Sequence, residues 1–110
     1  MFSVEQHEAV ALVTVSSELD ARNAQQAKEF FKELVAGGSS KVVVDLSPLD
    51  FIDSSGLGAL VTALKIARQD NGIVRLCALS PPVKSIFELT RLSRLFDIFE
   101  TSDEALSSFS

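Results

Sequence analysis

Residues 42–64 read VVVDLSPLDFIDSSGLGALVTAL. The run Val42-Val43-Val44, closed by Asp45-Leu46, has the pattern of a strand covered on both faces, as in a parallel sheet. Ser47-Pro48 breaks that strand, and Leu49, Phe51 and Ile52 then carry apolar side chains up to Asp53-Ser54-Ser55-Gly56. From there the period changes. Leu57, Leu60, Val61, Leu64 and Ala67 recur at the spacing of an amphipathic helix. A buried strand, a polar turn and a helix therefore meet at Asp53-Ser54-Ser55-Gly56-Leu57-Gly58.

That junction is the candidate site. A serine at a helix start can cap the free backbone N–H groups, and those groups together with the helix dipole favour negative charge. A phosphate on Ser54 would sit where an anion is tolerated. Gly56 and Gly58 are poor helix formers but offer bare backbone to which another surface can come close. The plainer reading of Ser54-Ser55 is a helix cap and nothing more.

Outward from this stretch, residues 2–7 and 9–16 read as two short strands joined through Gln6-His7-Glu8. Asp20 is a candidate N-cap for a helix carrying Ala24, Ala27, Phe30, Phe31, Leu34 and Val35, which Gly37-Gly38-Ser39-Ser40 ends. After the central helix, Gln69-Asp70-Asn71-Gly72 is a stop and turn. Residues 73–79 read as a strand, and Ser80-Pro81-Pro82 starts a helix with Val83, Ile86, Phe87 and Thr90 inward. A last strand near residues 96–99 precedes a helix capped at Thr101-Ser102-Asp103. The order ββαβαβαβα predicts an α/β fold: a mostly parallel mixed sheet with crossover helices and an antiparallel edge from the leading hairpin.

Composition narrows the function. At 110 residues the chain is read as one domain, spanning residues 1–110. Ten basic against fifteen acidic residues give a net charge of −5, which disfavours a phosphate-backbone partner, so no nucleic acid is expected. Cys77 cannot form an internal disulfide and lies in an apolar run, reading as a small buried hydrophobe in a reducing, cytoplasmic setting. No signal sequence or membrane-length apolar run is read, and a monomer is expected. His7 is the only histidine and reads as an exposed turn residue, so no His-based triad or multi-His metal site is expected. Ser54 lies in no G-x-S-x-G elbow, and the chain has no G-x-x-x-x-G-K-[ST] loop. No catalytic residue, metal or cofactor is expected.

Asp53-Ser54-Ser55-Gly56-Leu57-Gly58, preceded by Phe51-Ile52, resembles the signature of the anti-sigma factor antagonists, the stand-alone STAS domains of the SpoIIAA and RsbV type. Glu18-Leu19-Asp20 resembles the family's loop after the second strand. Cys77-Ala78-Leu79-Ser80-Pro81 with Val83-Lys84 and Ile86-Phe87 resembles the entry to the third helix, and residues 92–99 the approach to the last strand. Relatives commonly carry glycine where this chain has Ser17; if that position needs a positive φ, the pose of Asp20 changes.

The resemblance implies a STAS fold and a partner-switching role. The unphosphorylated protein would bind a GHKL-type anti-sigma factor, itself a serine kinase, and free the sigma factor. That kinase would phosphorylate Ser54, with Ser55 the second choice, and a PP2C-type phosphatase would reverse it. Asp20, Asp53, Ser54, Ser55, Gly56, Leu57 and Gly58 would form the partner-binding face, Asp20 lying beside Ser54. Two other readings stay open: a STAS subunit docking onto a transporter or signalling assembly with no phospho-switch, and nucleotide binding at the same loop.

Overall fold

The computed structural model describes residues 2–109. Strands β1 (Phe2–His7) and β2 (Val10–Val15) form the leading hairpin, turned by Glu8-Ala9 with Glu8 at φ 58°. Helix α1 (Ala24–Ala36), strand β3 (Lys41–Asp45), helix α2 (Ser54–Gln69), strand β4 (Ile73–Cys77) and helix α3 (Pro81–Leu89) follow. A 3₁₀ turn at Leu92–Arg94, strand β5 (Ile98–Phe99) and helix α4 (Ser102–Ser107) complete the order. The predicted succession of strands and helices is the observed one.

The five strands lie in sequential order, β1-β2-β3-β4-β5, with the β1–β2 pair antiparallel and the other three pairs parallel. Val42, Val43 and Val44 are all fully buried because β3 is central and covered on both faces. Val42 and Val44 enter the larger core beneath α1, α2 and α3, together with Val13, Leu76, Phe31, Leu60 and Phe87. Val43 points the other way, with Val10 and Cys77, against Ala105 of α4. The period of two along a strand thus divides the chain between a thick core and a thin one.

Burial on the thin side pushes the Cys77 thiol up to about 12, with the charge of Asp45 adding to it. A thiol so protonated is a poor nucleophile. Arg75 fastens the same side: it donates to the Ser108 hydroxyl at 2.7 Å and lies over the Phe109 ring at 4.2 Å.

Several boundaries differ from the sequence reading. β4 ends at Cys77 because Ala78 turns to φ 60°, while its amide still bonds to the Phe99 carbonyl at 3.0 Å. β5 keeps only Ile98–Phe99; Phe96 instead turns into the core, edge-on to Phe87 at 6.0 Å. Thr90 caps the end of α3, its hydroxyl donating to the Ile86 carbonyl, and is exposed rather than inward. His7 closes β1 and pairs with Glu5 at 3.0 Å. Ser17 lies outside the positive-φ region, so the loop before Asp20 needs no glycine there.

Candidate functional site

The β3–α2 and β2–α1 loops meet at the start of α2, and Asp53 joins them. Asp53, not Ser54 or Ser55, is the N-cap: its Oδ1 accepts from the Gly56 amide at 2.8 Å. Its Oδ2 accepts from the Ala21 amide at 3.0 Å, thirty-two residues away in sequence. One carboxylate therefore satisfies an orphan donor of the helix and pins the neighbouring loop. The serine cap expected from composition is corrected here. An aspartate in extended conformation just before the helix competes for the same amide, and its second oxygen finds a partner that a hydroxyl could not also reach.

Ser54 becomes the first residue of α2 and is exposed. Among the described residues no hydrogen bond ties down its hydroxyl. Ser55 is half-buried. The Gly56 amide, which could have helped hold a phosphate, is already committed to Asp53.

The two glycines divide their work. Gly56 is buried, and a Cβ there would lie 2.3 Å from the Leu19 carbonyl oxygen. The close approach it permits is internal, made by the β2–α1 loop on the first turn of α2, rather than by an outside surface. Gly58 faces open space, where a Cβ would meet nothing within 4 Å. Leu57 is only 7% exposed and packs in the core, so its side chain is not presented at the surface. The half-exposed face running on from Ser54 carries Gly58, Val61 and Thr62 before the first charge at Lys65.

Asp20 does not cap α1, whose preceding residue is Asn23. The Asp20 carbonyl accepts from the Asn23 and Ala24 amides at 3.1 and 2.8 Å. Its carboxylate faces Arg22, accepting from the Arg22 amide at 2.9 Å and from Nη2 at 2.7 Å. Arg22 also reaches Glu18 at 3.0 Å. The Arg22 guanidinium holds the Asp20 carboxyl below its ordinary range, and the Arg22 pKa is raised in turn. The structure places Asp20 on the loop fastened to Asp53 through Ala21, with its charge already partnered.

Asn23, which the sequence reading passed over, organises this loop. It is 8% exposed, accepts from the Asp20 amide at 2.9 Å and donates to the Glu18 carbonyl at 2.9 Å. A short amide side chain just before a helical pattern is the available signal, since Asn prefers such local backbone bonds. Among the described residues no cluster of His, Cys, Asp and Glu is grouped to hold a metal, and no helix is long and apolar enough to cross a membrane.

The STAS domain family matches residues 1–105. The anti-sigma F factor antagonist of Paenibacillus polymyxa is 29% identical over 105 residues, covering 94% of this chain and 90% of the relative. A Thermotoga maritima protein named as a candidate anti-sigma factor antagonist has a solved structure with TM-score 0.91 and 30% identity, covering 97% of this chain and 92% of that one. SpoIIAA shares the fold. Its unphosphorylated form gives a TM-score of 0.85 at 22% identity, covering 99% of this chain and 96% of that one. Its phosphorylated form gives 0.77 at 20%, covering all of both chains. On the match along residues 1–105 and the shared strand and helix order, the chain belongs to the STAS domain family.

Proposed function

We propose that the chain is a phosphorylation-switched anti-sigma factor antagonist with Ser54 as its acceptor. The observation that carries this reading is the division of labour at the start of α2. Asp53 caps the helix, and the Ser54 hydroxyl stays exposed and unengaged. A serine held as a cap would have to give up its bond before reacting. Relatives named as anti-sigma factor antagonists support the role.

The unphosphorylated protein docks on a GHKL-type anti-sigma factor through the Ser54–Gly58 face of α2 and the adjoining loop of Asp20, and the sigma factor is released. In the reverse direction the kinase transfers the γ-phosphoryl group of ATP. A bond forms between Ser54 Oγ and phosphorus, the bond to the β-phosphate oxygen breaks, ADP leaves, and the hydroxyl proton passes to a kinase base. A metal-dependent PP2C-type phosphatase hydrolyses the ester, returning the serine and inorganic phosphate.

Phosphorylation adds about −1.5 to −2 charges. The two loops at the site already hold Glu18, Asp20, Asp50 and Asp53 against Arg22 alone. A dianion there meets the fixed carboxylate of Asp53, and it would be stripped of water if buried in an interface. Binding is lost by charge and bulk at the surface, with little change of backbone. The test is binding of wild type, Ser54→Ala and Ser54→Asp to purified GHKL-type serine kinases with Mg-ATP. Ser54→Ala should bind like wild type and resist phosphorylation, and Ser54→Asp should bind at least tenfold more weakly. Equal binding by Ser54→Asp and wild type, or phosphate transfer to Ser54→Ala, contradicts the reading.

A further inference from the structure

We infer that Phe51 is the apolar anchor of the partner-binding face, the side chain that supplies affinity while Ser54 supplies control. The inference rests on the antagonist reading above and extends it to a residue just before the Asp53–Gly58 stretch. A single exposed apolar side chain needs no explanation in itself. Phe51 is distinguished by three observations. It is 62% exposed, while the other seven phenylalanines are buried or half-buried. It stands three residues before Ser54, on the loop that Asp53 clamps. And its neighbours are fixed.

The loop is tied on both sides of the ring. The Ser47 amide bonds to Asp45 Oδ1 at 2.8 Å, the Leu49 amide to the Leu46 carbonyl at 2.9 Å, and the Ser80 hydroxyl to the Leu49 carbonyl at 2.9 Å. Leu49 and Ile52 are 0% and 1% exposed. The chain thus buries the apolar side chains around Phe51 and leaves this ring out, on a loop already ordered. Aromatic side chains are enriched in interfaces, and one carried on a backbone already held loses less entropy on docking.

The partner feature that fits is an apolar recess for one phenyl ring, on the surface that meets Ser54.

The experiment uses the full chain and a purified GHKL-type serine kinase that phosphorylates Ser54, with Mg-ATP. Phe51→Ala should keep the circular dichroism spectrum and melting temperature of wild type. Its Kd and KM should rise roughly 30-fold or more, with kcat held within about twofold, as for loss of an aromatic hot spot that acts in ground-state binding. Phe51→Leu should recover most of the loss. Binding of Phe51→Ala within about twofold of wild type overturns the anchor, and leaves the switch standing if Ser54→Asp still fails to bind. If no such kinase binds or modifies the wild type, the antagonist reading and the anchor fall together.

Discussion

Helices α2 and α4 begin in the same way by sequence, with a hydroxyl residue beside a carboxylate, yet the structure uses them differently. At α4 the hydroxyl is the cap: Thr101 Oγ1 accepts from the Glu104 amide at 3.1 Å and donates to Glu104 Oε1 at 3.2 Å. At α2 the carboxylate is the cap, and Ser54 follows it as an exposed first helical residue. A capping hydroxyl is spent on the fold. A hydroxyl one position later, with the cap supplied by its neighbour, is available for chemistry at almost no cost to stability. The same residue types therefore make a structural end in one place and a modifiable one in the other.

Substitutions that separate the two ends test this contrast, and the largest effect belongs beneath Ser54. Gly56→Ala drives a methyl group to within 2.3 Å of the Leu19 carbonyl oxygen, a backbone atom that cannot swing aside. The expected cost is about 2–3 kcal/mol, read as a melting temperature lower by roughly 10 °C or more. An unchanged melting curve would break the account of how the two loops dock. Gly58→Ala, in open space, should be neutral or stabilising by up to about 1 kcal/mol.

Asp53→Ala comes next, because it removes both the cap and the bond to Ala21; urea melts should show a loss of about 1–2 kcal/mol. Thr101→Ala should cost about 1 kcal/mol, the ordinary price of a lost cap. Ser54→Ala should stay within about 0.5 kcal/mol of wild type. If Ser54→Ala proved as costly as Thr101→Ala in the same melts, the two helix starts would be alike and the hydroxyl would not be free.

The smallest effect concerns pH. The Asp20 carboxyl is depressed by Arg22, so the stability it contributes is present above its unfolded pKa and is lost as pH falls through the lower folded value. In Arg22→Ala the Asp20 carboxyl should titrate at higher pH by carbon-detected NMR, yet stay below the ordinary range, because the residue-22 amide still donates to it. An unchanged value would show that the Arg22 guanidinium is not the main cause.

Much of this was legible in the sequence. Three consecutive valines bounded by polar residues mark the central strand, because a short β-branched run of this kind suits a strand covered on both faces. The change of period after Gly56 marks the helix, and the alternation of elements gives the sheet. The capping residue was not legible, since Asp53, Ser54 and Ser55 are all good caps by local preference. The choice is made by Ala21, a contact far along the chain. Asp20 looked like a cap for the same local reason, and Arg22 and Asn23 draw it elsewhere. The exposure of Phe51 between buried Leu49 and Ile52 also depends on how the loop is tied to Ser80, which periodicity does not record.

The most direct test of the central claim is phosphosite mapping by mass spectrometry on the protein taken from its own cells, growing and stressed. The account predicts phosphate on Ser54, at an occupancy that changes between the two conditions. Ser54 unmodified in both, with the protein abundant, would contradict it and leave the start of α2 as a structural end like that of α4.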